Sequence, residues 1–240
     1  MLELINLSKD FGQIKAVSNL SFKVNKGEIF GLLGENGAGK TTTLRMLSTM
    51  IKPTSGTAVI NGIDLIKEPE KIRKSIGILF GSESGLYNRL TARENIKYFA
   101  QLHDMKKSEI DDRIKELAEK FDMVDFLDKP AGKLSKGMKQ KVCIVRSIIH
   151  NPQIMLFDEP TNSLDVTSAR EVHDFIRFCK QEGKTIIFSS HTMSEVEKLC
   201  DRIAVIHKGE LVEIGTVDQL KDKFNNKNLE EVFMRLVGAE

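Results

Sequence analysis

Gly34 to Thr41 read GENGAGKT, the spacing G-x-x-x-x-G-K-[ST], between an apolar run and a helical pattern. That pattern suits a triphosphate. Glycines let backbone N–H groups turn inward around phosphate oxygens, and a helix N-terminus adds partial positive charge. Lys40 has the reach for the outer phosphates, and Thr41 offers a hydroxyl oxygen to Mg²⁺. Gly34, Asn36, Gly37, Ala38, Gly39, Lys40, Thr41 and Thr42 are therefore the expected cradle. A glycine turn that merely caps a helix is the plainer reading; the strand before the loop and the helix after it argue against it.

Further along, IMLFDEP sets Asp158 and Glu159 just past a second apolar run, and TIIFSSH sets His191 just past a third. An isolated carboxylate pair is ordinarily a solvated turn, and a lone histidine an ordinary surface or core residue. Position argues otherwise, because open α/β sheets gather their ligands beyond the carboxyl ends of the strands. On that reading Asp158 supports Mg²⁺ and Glu159 orients or deprotonates an attacking water. His191 either hydrogen-bonds the γ-phosphate or fixes the water against Glu159. His103, His150, His173 and His207 lack such a setting. Leu134 to Lys141, LSKGMKQK, form a second polar turn ahead of an apolar-striped helix in which Val142, Val145, Ile148 and Ile149 can face a core. Ser135 is placed as its N-cap, and with the glycine at 137 the turn also leaves N–H groups for an anion. The residues alone do not say whose anion.

The elements that must position these groups are legible as runs. IFGLLG from Ile29, IMLF from Ile154, TIIFSS from Thr185 and IAVIH from Ile203 lack polar alternation, which predicts strands of a parallel sheet buried on both faces. Helical patterns follow the first three near residues 40–50, 167–181 and 193–201, as βαβ crossovers require. ELINLSKDF, VSNLSFKV and GTAVING, broken by Gly, Asn and Ser, predict an antiparallel layer beside that sheet. Between Thr91 and Lys129 the texture turns helical, with Ile110, Ile114, Leu117 and Phe121 on one face. The expected layout is an α/β cassette over residues 1–220, with a helical subdomain inserted at about 88–150, and a short helical tail over 221–240.

Composition narrows the class. Of 240 residues, 40% are hydrophobic and 29% charged, an ordinary globular balance. Lys and Arg total 36 against 34 Asp and Glu, and a net charge of +2 gives no reason to expect nucleic acid. No basic-then-apolar leader opens the chain and charges interrupt every apolar run, so a cytosolic location is expected. Cys143, Cys179 and Cys200 are too widely spaced for a zinc pattern and read as reduced core thiols.

The ordered series GENGAGKT, LSKGMKQ, IMLFDEP, NSLD and SSH closely resembles the nucleotide-binding subunits of ABC transporters, over nearly the whole chain. The resemblance implies a P-loop NTPase core with a mostly parallel sheet, an antiparallel N-terminal layer and an inserted helical subdomain. It further implies ATP and Mg²⁺ as ligands, and an ATP-bound head-to-tail dimer in which Ser135 and Gly137 of one subunit cap the γ-phosphate held by the other. Asn162 to Asp165 resembles the D-loop coupling the two sites, with Asp165 at the nucleotide side. Phe11 takes the aromatic position that stacks on adenine, although between Leu7 and Ile14 it reads equally as a core residue.

Two departures stand out. The family usually carries LSGGQ, whereas here Lys136 replaces a glycine and Met138 the glutamine. Where it carries a Q-loop glutamine, this chain has LFGSESGLY, with Gly81 or Ser82 at the place and no glutamine between Gln13 and Gln101. Either the metal and water are held through a bridging water with Ser82 or Glu83 assisting, or hydrolysis is slow until a membrane partner reshapes the loop.

The partners implied are an integral membrane permease and a second ATP-binding subunit, as a homodimer or a paired cassette. They place the chain on the inner face of the cell membrane. The tail NLEEVFMRLVG and GELVEIGT resemble single-cassette exporters, and FGSESGLYNRLTARENI the sodium-extrusion branch. A soluble ABC ATPase acting on ribosomes or DNA would ordinarily add a second cassette or a long coiled coil. A non-hydrolysing regulatory module would show a degenerate carboxylate or histidine.

Overall fold

A computed structural model of the chain describes residues 1–80 and 85–238. The chain divides into two compact units: residues 1–76, 153–159 and 173 onward form the first, and residues 77–152 and 160–172 the second. In chain order, β1 (Leu2–Phe11), β2 (Ile14–Val24) and β3 (Ile29–Leu33) lead into α1 (Lys40–Leu47). Then come β4 (Ser55–Ile60), β5 (Ile63–Asp64), α2 (Pro69–Ser75) and β6 (Ile76–Phe80). Next are the helices α3 (Ala92–Leu102), α4 (Lys107–Lys120) and α5 (Lys136–Ile148). The chain returns through β7 (Ile154–Asp158), α6 (Val166–Gln181), β8 (Thr185–Ser190) and α7 (Met193–Leu199). It finishes with β9 (Arg202–His207), β10 (Glu210–Gly215), α8 (Val217–Lys223) and α9 (Leu229–Val237).

In the first unit the sheet order runs β10, β9, β3, β8, β7. β3 pairs in parallel with β8 and β9, and β7 in parallel with β8, as the unalternating apolar runs require. All residues of β3 and β8 are buried. Leu33 lies opposite Ser190, and Asp158 opposite Ser189, so β3, β7 and β8 finish level at their carboxyl ends. Residues 34, 159 and 191 therefore leave the sheet at one edge. The antiparallel layer has the order β2, β1, β4, β5, with Leu2, Leu4 and Leu7 of β1 buried. This is the P-loop NTPase-like α/β core with an antiparallel N-terminal sheet that the motif order implied.

The second unit is built around three helices, with α3 packed on both α4 and α5. Thr91 and Glu94 close a capping box at the start of α3, which satisfies two amides that the first turn would leave unpaired. Ile110, Ile114 and Leu117 are buried on one face of α4, whereas Phe121, at the helix C-cap, is only half-buried. Val142, Val145, Ile148 and Ile149 all enter the core. Cys143 and Cys179 are buried and Cys200 half-buried, and none of the three is in a disulfide. Among the described residues no helix is long and apolar enough to cross a membrane.

Candidate nucleotide-binding site

The loop from Gly34 to Gly39 is shaped by its glycines. A Cβ at Gly34 would fall 2.3 Å from the carbonyl oxygen of Ile206. Gly39 sits at φ +105°, where a Cβ would lie 2.6 Å from the Ala16 carbonyl oxygen. No other residue type fits either position without moving backbone. Gly39 is also the N-cap of α1 and supplies no side chain to it, so the first-turn amides keep their capacity for an anion. Asn36 and Gly37 are exposed, Ala38 buried, and Thr42 half-buried.

Lys40 is almost wholly buried, and its ammonium donates to the carbonyl oxygens of Gly34 at 2.7 Å and Glu35 at 3.0 Å. It also pairs with Glu159 Oε1 at 3.3 Å. An ammonium has three hydrogens to give, and all three have a taker here. Thr41 Oγ1 donates to Asp158 Oδ1 at 2.9 Å. That spacing is what a divalent ion needs: adjacent oxygens of an Mg²⁺ octahedron with arms of 2.0–2.1 Å stand about 2.9 Å apart. The hydroxyl and carboxylate are both hard oxygen ligands, so the donor set fits the ion.

Glu159 departs from β7 with φ +47°, a left-handed backbone that a glutamate adopts only when its surroundings hold it there. The hold comes from β8: the Glu159 amide donates to the Ser189 carbonyl at 3.2 Å and to Ser189 Oγ at 3.0 Å. Ser189 Oγ in turn donates to Asp158 Oδ1 at 2.7 Å. The turn aims the Glu159 carboxylate so that Oε1 faces Lys40 while Oε2 meets His191 Nδ1 at 2.5 Å. His191 is exposed on its other side. Its approach is fixed by Ser190, whose hydroxyl accepts from the Thr192 amide and donates to Glu195. Phe11, at the end of β1, is 51% exposed with the Lys9 ammonium 5.1 Å from its ring centroid, so it is not a core residue.

Ser135, Gly137 and Asp165 lie in the second unit. Ser135 Oγ caps α5 by accepting from the Met138 amide at 3.2 Å. Gly137 is half-buried, and a Cβ there would sit 3.4 Å from Ser168 Oγ. Asp165 accepts from the Ser168 amide at 2.9 Å and its hydroxyl at 2.8 Å, bonds that hold its carboxyl below the usual carboxylate range. Ser82 lies outside the described residues.

Residues 17–162 match the ABC transporter family. The chain belongs to that family. It is 44% identical over 238 residues to the ABC transporter ATP-binding protein NatA of Bacillus subtilis, covering 98% of this chain and 97% of that one. The bacitracin transport ATP-binding protein BcrA of Bacillus licheniformis is 40% identical over 231 residues, covering 96% and 74%. Among solved structures, the ATP-binding subunit of an ABC transporter superposes with a TM-score of 0.88 at 29% identity, covering 98% and 99%. A dimeric ATP-binding cassette in a post-hydrolysis state, bound to ADP and Pi, gives a TM-score of 0.80 at 28% identity, covering 90% and 99%.

The ABC transporter chain is thus an ATP-binding and ATP-hydrolysing subunit. One residue of its pocket escaped sequence reasoning. Ser189 ties the ends of β7 and β8 together, although it lies between two groups singled out by position. The signal was present: Ser189 and Ser190 are polar residues closing an apolar strand, and both are buried.

Proposed function

We propose that this subunit binds MgATP in the first unit, pairs head to tail with a second cassette, and drives export through a separate integral membrane permease. The observation that carries the reading is the Glu159 carboxylate, shared between Lys40 and His191 one residue after an Asp158 that is joined to Thr41. A solvated acidic turn has no reason to hold a strained backbone against a buried lysine.

On this reading the amides from Gly37 to Thr42 and the Lys40 ammonium cradle the phosphates, and Phe11 stacks on adenine. Thr41 and Asp158 would hold Mg²⁺, which would supply positive charge against the charge developing on the phosphates. Phosphate draws the Lys40 ammonium from Glu159, whose carboxylate then serves a water. Glu159 accepts that water's proton as the water oxygen bonds to the γ-phosphorus and the bond to the ADP oxygen breaks. The proton leaves with the released phosphate. His191, donating through Nδ1, keeps the carboxylate aimed. Ser135 and Gly137 of the second cassette close over the γ-phosphate, and Asp165 lies beside it; the dimeric cassette bound to ADP and Pi among the related structures supports the pairing of two cassettes.

Export is supported by relatives named for bacitracin transport, linearmycin resistance and daunorubicin resistance. The cargo is chosen by the permease, which also holds the subunit on the inner membrane face. The Glu159→Gln chain should form a stable dimer in saturating MgATP by light scattering, and Lys40→Ala should lose nucleotide binding. A Glu159→Gln chain that stays monomeric would overturn the proposal. Basal hydrolysis with and without the permease separates the two ways of replacing the Q-loop glutamine: a fast rate without it excludes slow hydrolysis that waits for the permease.

A further inference from the structure

Within the second unit, α5 carries Lys136 and Gln140 four residues apart on one face, and both reach the chain between Glu159 and α6. The Lys136 ammonium donates to the carbonyl oxygen of Ser163, and Gln140 Nε2 donates to that of Pro160 at 3.3 Å. Asn162, Ser163 and Asp165 are exposed, and Ser163 takes a left-handed φ of +61°. Among the described residues the loop's other ties are local, from the Leu164 amide to the Thr161 carbonyl, from the Ser163 hydroxyl to Asn162 Oδ1, and from Ser168 and the Ala169 amide to Asp165.

Gln140 is a costly residue to place there. It is 2% exposed, and its Oε1 has no hydrogen-bond partner among the described residues. An apolar side chain of the same size would avoid that burial cost, so what the position uses is the Nε2 donor. Lys136 is exposed, and its bond to Ser163 buries nothing worth mentioning. Neither side chain is explained by core stability, and both converge on one backbone segment.

We propose that Lys136 and Gln140 are positioning residues that lock the Pro160–Ser163 loop to the first two turns of α5, so that Ser135, Gly137 and Asp165 move as one piece. The inference rests on the proposed function in one respect, that these three residues act at a nucleotide. The lock itself is independent of that.

The test compares the full-length Lys136→Met and Lys136→Arg chains with the parent. Methionine keeps the stem and removes the donor; arginine restores it. Amide hydrogen exchange over residues 161–165, without nucleotide, should be faster in Lys136→Met and return to the parental rate in Lys136→Arg, with the melting temperature unmoved. MgATP turnover should fall about fivefold or more in kcat at unchanged KM for Lys136→Met and recover within about twofold for Lys136→Arg. Unchanged exchange in Lys136→Met overturns the lock, and faster exchange with parental kcat overturns its positioning role. If the parent hydrolyses no ATP even together with its permease, the proposed function fails, and the exchange result still decides the lock.

Discussion

Replacing Glu159 by Gln should tighten nucleotide binding before any effect on the chemical step. In the wild type, Lys40 stands 3.3 Å from Glu159 Oε1, with side-chain exposures of 4% and 17%. Unit charges at that distance attract by about 5 kcal/mol in an effective dielectric of about 20, an upper bound before solvent screening. A phosphate entering the cradle must draw the ammonium from this partner and also face the carboxylate's own charge. Phosphate contacts repay most of the exchange, and a partly open pair is worth far less than its Coulomb figure, so the residual penalty is about 1–2 kcal/mol. Glutamine is close in shape and uncharged, so the penalty disappears. The dissociation constant for MgADP should drop about 5- to 30-fold. MgADP is the ligand to use, because it has no γ-phosphate for a second cassette to cap, and titration calorimetry then reads the pocket alone. An MgADP affinity unchanged within about twofold, or weaker, would refute the argument that Glu159 competes for Lys40.

Other perturbations follow from the same geometry. Ser189→Ala removes the hydroxyl that clamps Asp158 and the Glu159 amide, and should lower kcat for MgATP by about tenfold, with a loss of about 1–2 kcal/mol visible by urea unfolding. Gly39→Ala places a Cβ 2.6 Å from the Ala16 carbonyl at φ +105°, and should cost about 1–3 kcal/mol in stability and abolish nucleotide binding in a filter assay. His103, stacked on His150 with ring centroids 3.5 Å apart, has its protonation pushed to lower pH by burial. Its unfolded-state pKa is then the higher one, so between the two values the unfolded chain binds more protons and stability falls on acidification through about pH 6.5. Scanning calorimetry at pH 7.5 and 5.5 should show a drop in melting temperature that His103→Gln makes smaller.

Much of the fold was legible from runs and periods. IFGLL, IMLF, TIIFSS and IAVIH lacked alternation because both faces of those strands are covered, and a strand buried on both sides needs no polar face. The α4 stripe was legible for the complementary reason: Ile110, Ile114 and Leu117 are buried on one face, and Phe121 at the C-cap is half-buried. Phe11 was ambiguous in one dimension: it falls between Leu7 and Ile14 in sequence, and only the end of β1 in space leaves it exposed.

The sequence by itself determined which residues could handle phosphate, because glycine spacing, a lysine and a strand-end carboxylate are local chemistry, readable at short range. It could not determine who partners whom. That Glu159 divides its carboxylate between Lys40 and His191, that Ser189 clamps the turn, and that Lys136 and Gln140 seize one loop all join segments separated by many residues. Such pairings are set by strand register and helix facing, which exist only once the chain has closed on itself.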